Sequence, residues 1–263
     1  MSTDNKTTTE RLSDVAVRAN ALCQTVADQA SAMQNQVNNA ITSTQSQIDT
    51  FMSETFRNEI PFLRLTKNQQ LKINGKLEIG QKGIPDGFTM NGEVHGKYFE
   101  TEIVDVSRTE KEPGQRSPEQ LAFWKNVEGT APKYHKPEFA IVRITALNVD
   151  NYPTENYRQY SIYQGGTPYN TAITFGAFVK VEQGKVGFGS GRFSDLVPAD
   201  GEWHTMVDHV KAPPKGGANY IHGPHIHLEK GSSCLVALPA TVLGWVPRER
   251  WGYFEKPVLE SEL

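Results

Sequence analysis

Residues 11–60 read RLSDVAVRANALCQTVADQASAMQNQVNNAITSTQSQIDTFMSETFRNEI. The stretch holds no Gly and no Pro, the two residue types that break helices, and its first aromatic is Phe51. Seam residues recur at Leu12, Val15, Ala19, Leu22, Val26, Ala30, Met33, Val37, Ile41, Thr44, Ile48 and Phe51. They are separated by steps of three and four residues, with two extra steps of four. This is the spacing of a coiled coil, and each extra step of four relaxes the left-handed supercoil, so the expected rope runs nearly straight. The stripe is thin, and Ser, Thr, Asn and Gln make up most of the remainder. One copy has too little to bury alone and no evident partner helix in its own chain, so identical copies from other chains are the expected partners. Gln29, Gln36 and Thr44 lie near the seam and leave the number of strands open. A disordered polar arm competes as a reading of this composition; the sustained seam favours the helix.

Pro61 closes the helix, because the residue before a proline is pushed out of the α region. The chain then divides into a stalk and docking arm over 1–60, a β domain over 61–246 and a C-terminal tail over 247–263. Trp251, Tyr253 and Phe254 in that tail are expected to fold back on the domain or on a neighbouring chain. From Leu63 onward Gly, aromatics and short alternating runs dominate. Leu71–Ile79 alternates apolar and polar residues around Asn74-Gly75, which reads as a strand with a turn or bulge. Further strands are expected within 94–106 and at Phe139–Leu147, Tyr157–Gln164, Ala172–Val181, Lys185–Ser190, His204–Val210, His225–Lys230 and Cys234–Val242. Many short strands between Gly and Pro turns imply a β-sandwich or barrel. Residues 107–137 are charged and proline-rich and read as an insertion. Within it Ser117 as N-cap, Pro118 at the first helical position and Gln120 three residues after the cap open a short helix that ends at Gly129. The fold class is therefore mainly β with an N-terminal α-helical coiled coil.

The chain has 263 residues and a formal net charge of -3. With no basic excess, no nucleic-acid partner is expected. No apolar run is long enough to cross a bilayer, so no membrane insertion is expected. The first residues carry no apolar signal core, which argues against secretion. Cys23 and Cys234 show no zinc or redox spacing, and free thiols in a cytoplasmically made protein fit them.

Several pieces between Leu71 and Gly244 occur in a familiar order. Leu71-Lys72-Ile73-Asn74-Gly75-Lys76-Leu77-Glu78 precedes Pro85-Asp86-Gly87-Phe88. Then come Ser161-Ile162-Tyr163-Gln164, Tyr169 to Lys180, Gly201-Glu202-Trp203 and the apolar run Leu235–Leu243. Together they resemble the jelly-roll carbohydrate-binding modules and galactose-binding-like domains, from which the insertion at 107–137, and Leu77 and Phe88 in place of larger aromatics, depart. A polar coiled coil followed by such a domain also resembles bacteriophage tail and head fibres. That resemblance implies a homotrimer located in the virion, docked by its N-terminus on a tail or capsid protein, with a jelly-roll β-sandwich knob facing a host-surface glycan.

Candidate chemistry is sparse. Tyr152, Tyr157, Tyr160, Tyr169 and Tyr220 sit in or beside expected loops, where a ring can stack on the C–H face of a sugar. Core or interface packing explains any one of them equally well. His225 and His227 alternate along one strand face, a spacing that suits a transition metal. In some phage fibres resembling this chain, such an H-x-H from three chains surrounds one ion, whereas a cupin site would need a later Glu and a second motif. The plain alternative is a solvent-facing strand. Glu78 would bind a structural calcium if it follows the corresponding acid of the resembling modules, and is otherwise a surface glutamate. Beyond such a structural metal ion no cofactor is expected. Gly187-Phe188-Gly189-Ser190-Gly191 lacks the Lys-Ser/Thr of a phosphate loop and reads as a strand-end turn. No nucleophile–base arrangement rises above background, so the chain is not expected to be an enzyme. The rival expectations are a decorative virion protein without a ligand and a metal-dependent or glycan-cleaving β-sandwich enzyme.

Overall fold

The computed structural model describes residues 7–50, 62–88, 96–153, 159–161, 167–168, 172–189, 195–211, 220–221 and 223–256. The chain divides into two compact units, Met1–Pro61 and Phe62–Leu263.

In the first unit, helix α1 spans Thr8–Thr50, starting a few residues before the quoted seam. Thr7 and Glu10 form a reciprocal cap: the Glu10 carboxylate accepts from the Thr7 N–H (2.7 Å), and the Thr7 hydroxyl accepts from the Glu10 N–H (3.3 Å). No side chain of α1 is buried. Leu12, Val15, Leu22, Val26, Met33, Val37, Ile41 and Ile48 are between 50% and 66% exposed, an apolar stripe left open along the whole helix. From Ala19 the stripe repeats in units of eleven residues: Ala19, Leu22 and Val26, then Ala30, Met33 and Val37, then Ile41, Thr44 and Ile48. Eleven residues over three turns nearly match the helix's own period, so the stripe stays on one face with only a slight right-handed drift. Amides and hydroxyls make up most of the polar residues, and two of the amides bond one turn along, Gln24 to Asp28 (2.9 Å) and Gln45 to Asp49 (3.0 Å).

Among the described residues the second unit holds eleven strands: β1 (Phe99–Ser107), β2 (Phe139–Ala146), β3 (Gln159–Ser161), β4 (Thr167–Pro168), β5 (Ile173–Gln183), β6 (Val186–Gly189), β7 (Asp195–Leu196), β8 (Trp203–Val210), β9 (Tyr220–Ile221), β10 (His225–Leu228) and β11 (Ser233–Leu243). Their pairing is antiparallel and nested. β6 pairs with β7, β5 with β8, β4 with β9, β3 with β10 and β2 with β11. The run from β2 to β11 is thus one long hairpin folded back at β6–β7. The hairpin then rolls up, so that β11 also pairs with β5 and β10 with β6. The result is a five-stranded sheet in the order β1-β2-β11-β5-β8, a four-stranded sheet in the order β3-β10-β6-β7, and the small pair β4-β9.

Strand alternation decides what each face of the large sheet meets. Val142 and Ile144 of β2, Ala177 and Val179 of β5, and Cys234 and Val236 of β11 share one apolar cluster with Val186, Phe188, Ile226 and Leu228 of the second sheet. The opposite face carries Phe139, Ile141, Phe178 and Leu235, packed with helix α2 (Pro118–Glu128) and with Trp203, Trp251 and Phe254. Trp251 and Phe254 thus fold back onto this unit. Phe123 of α2 is the hub, with ring centroids 5.2–5.3 Å from Trp124, Phe139, Phe178 and Trp203. Such aromatic pairs add about 0.5–1.5 kcal/mol each beyond their area burial. The ends of α2 follow its sequence signals: the Ser117 hydroxyl accepts from the Gln120 N–H (3.1 Å), and Gly129 closes the helix at φ 75°.

Leu71–Ile79 corrects one expectation, because it forms no strand. Only Ile73 and Lys76 pair, exchanging two hydrogen bonds of 3.0 and 3.1 Å across Asn74-Gly75. Leu71 at φ 62° and Asn74 at φ 51° take the left-handed conformation, which interrupts an extended run. The turn's N–H groups are held from a distance by the Asp86 carboxylate, 2.8 Å from Asn74 N and 2.6 Å from Gly75 N. Leu71 and Ile73 still reach the core.

Candidate functional site

β7 ends the four-stranded sheet and β8 ends the five-stranded one, and they are consecutive in the chain. A cleft of about 450 Å³ opens on this edge of the unit. β7 contributes Asp195 and Leu196, followed by Pro198, while β8 contributes Trp203, His204, Thr205 and Met206. Asn126 comes from α2, and Arg248 from the short 3-10 turn Arg248–Arg250. The β8 wall is fixed from behind. The Trp203 indole N–H donates to Glu119 Oε1 (2.7 Å), and the Lys180 ammonium donates to the same carboxylate at 2.9 and 3.0 Å. The His204 ring bonds to the Asp200 carboxylate at 2.9 and 3.1 Å, and this contact holds the exposed Asp200 carboxyl below its ordinary range. Asp195 and Arg248 make no ion pair among the described residues. Among the described residues the cleft therefore presents one carboxylate and one guanidinium without an ion-pair partner, beside the apolar Leu196 and Pro198.

Among the described residues, none of the candidate site residues singled out from the sequence lines this cleft. Tyr152 is 6% exposed; its hydroxyl donates to the Leu228 carbonyl (2.7 Å), and its ring meets Tyr98 and Phe99 edge-on. Tyr160 lies on β3 and Tyr220 on β9, while Tyr157 and Tyr169 lie outside the described residues. His225 and His227 stand on β10 with ring centroids 6.1 Å apart, and both are buried, at 7% and 4% exposure. Two imidazoles on one tetrahedral ion at about 2.0–2.1 Å would bring their centroids to about 5 Å, so this spacing is open by about an ångström. Glu78 is on the surface, 3.4 Å from Lys76. No group of three or more His, Cys, Asp or Glu suited to a metal ion occurs among the described residues.

One serine–histidine contact escaped the sequence, since its partners are 28 residues apart. Ser107 Oγ lies 2.9 Å from His135 Nε2, and His135 Nδ1 lies 3.1 Å from the Pro137 carbonyl. The carbonyl fixes the proton on Nδ1, so the Ser107 hydroxyl donates to Nε2. Trp124 Nε1 and Arg116 Nη1 donate to the Ser107 oxygen at 3.1 and 3.3 Å. Burial first, and then the Arg116 charge, hold His135 below the usual histidine range, which keeps the ring neutral at pH 7. Ser107 is fully buried beneath α2, so the pair is a structural junction rather than an accessible nucleophile and base.

No protein-family model matches the chain, and no curated protein matches its sequence. The class that the fold defines is a long helix with an open apolar seam, followed in the chain by an antiparallel β unit of two packed sheets.

Proposed function

We propose that this chain is one subunit of a homotrimeric virion fibre whose β unit is a jelly-roll knob that binds host-surface carbohydrate. The observation that carries the assembly is the uncovered seam of α1. Fully burying a Val, Leu, Ile or Met side chain is worth about 1.5–3 kcal/mol relative to leaving it exposed. Eight such side chains on one stripe supply a driving force that only other helices of the same pattern use fully. The jelly-roll reading is supported by the nested pairing, in which one long hairpin rolls into two facing sheets. The choice of three strands, the mounting of the N-terminus on a tail or capsid protein and the virion location rest on the resemblance to phage fibres. Three knobs on one bundle give avidity, so a weak single site suffices. A decorative role without ligand is the second reading, and the burial of Tyr152, one of the candidate stacking rings, favours it.

The test is the solution mass of the full chain and of its Val26→Asp/Val37→Asp variant by light scattering. Both positions are exposed in the single helix, so neither substitution disturbs the β unit. The expected result is a trimer for the native sequence and monomers for the variant. A monomeric native chain would sink the fibre reading.

A further inference from the structure

We infer that the cleft between β7 and β8 is a saccharide site taking one or two pyranose units of an uncharged glycan. The inference rests on the carbohydrate-binding part of the proposed function and places the contact on the α2–β7–β8 side, on residues other than the candidate tyrosines. Its volume, about 450 Å³, lies in the range of small-molecule sites, roughly 300–1,000 Å³.

The lining selects the ligand. A sugar offers hydroxyls that donate and accept at the same oxygen, together with a patch of C–H surface. Asp195 can only accept, Arg248 can only donate, and Asn126 and Thr205 do both. Leu196, largely exposed on its two-residue strand, and Pro198 provide the apolar patch. A phosphate or sulfate would gain from Arg248 but would meet Asp195 and the neighbouring Asp200 carboxylate; a cation would meet Arg248. A neutral ligand with many hydroxyls uses both charges without repulsion; a zwitterion would as well, and the carbohydrate reading of the β unit selects the polyol. A charge-assisted hydrogen bond is about twice as strong as a neutral one, so Asp195 and Arg248 would carry most of the affinity. The β8 wall is held in place before binding by the Trp203–Glu119 and His204–Asp200 contacts, which limits the ordering cost.

The experiment screens the full-length oligomer on an array of neutral, sialylated and sulfated glycans. The best neutral glycan is then titrated against the native chain and the variants Asp195→Asn and Arg248→Ala. Both side chains are on the surface, so melting temperature and solution mass should not change. The expected result is binding to a neutral glycan, weakened about tenfold or more by either substitution. Equal binding by native and variant chains would overturn the cleft as the site while leaving a glycan-binding knob in place. Binding confined to sulfated or sialylated glycans would overturn the uncharged ligand. Binding to none would overturn both the site and the carbohydrate reading.

Discussion

Gly176 stands in the middle of β5, where glycine ordinarily weakens a strand. Its use here is close approach. A Cβ at this position would come within 2.6 Å of three carbons of the Trp251 indole, which is buried on that face of the sheet. The same indole N–H reaches the Leu238 carbonyl (3.3 Å), inside the bulge where Leu238 takes φ 47° between Ala237 and Ala240. One missing methyl group therefore lets the C-terminal tail lock onto the sheet. Gly176→Ala should push Trp251 off its seat and cost about 1–3 kcal/mol, the usual range for overpacking a core. Urea unfolding would show it as a lower midpoint with the slope unchanged, and an unshifted midpoint would mean that Trp251 contributes little to holding the tail.

At the scale of elements, α2 and the loop after it dock through a polar junction that should respond to pH. The folded chain holds His135 below its ordinary pKa, so the unfolded chain takes up this proton more readily. The stabilisation from the neutral ring is complete above the ordinary histidine value of about 6.5 and is lost as pH falls from there through the lowered folded value. An imidazolium at this place would face the Arg116 guanidinium and could no longer accept from Ser107. His135→Gln removes the titration, so the native chain should lose more stability than the variant between pH 7 and pH 5 in urea titrations at each pH. Equal losses would assign the acid sensitivity to other groups. Elements of this kind also show what the sequence could and could not reveal. α2 was legible because its cap signals, Ser117, Pro118 and Gly129, are local. The long strands were legible because Phe139–Ala146 and Ser233–Leu243 are short apolar runs closed by turns. Leu71–Ile79 misled because its alternation is that of a strand, while Asp86, twelve residues beyond Asn74, holds its turn. The cleft was not legible at all: Asn126, Asp195, His204 and Arg248 come from four separate segments, which the rolled hairpin and the elements packed on it bring together.

At the scale of the whole molecule, the open question of direction is answerable with a residue the chain already has. Cys23 follows Leu22 directly, beside the seam, and is exposed. Cys234 is buried, and desolvation pushes its thiol well above the ordinary range, so it stays inert. In a parallel, in-register bundle every copy of Cys23 lies at the same height. In an antiparallel pair centred on the middle of α1, Cys23 would face Asn35 of the other helix, about 18 Å along the axis from that helix's own Cys23, too far for a disulfide. Mild oxidation of the native chain should therefore give covalent dimers in quantity if the strands run parallel. The yield also reports strand number, because three chains with one cysteine each must leave one uncoupled, whereas a parallel dimer can couple completely. Cys23→Ser should abolish the product without changing the solution mass. Absence of coupling in a chain that is nevertheless oligomeric would mean antiparallel strands. Such an arrangement would send the β units to opposite ends and remove the avidity on which the proposed attachment relies.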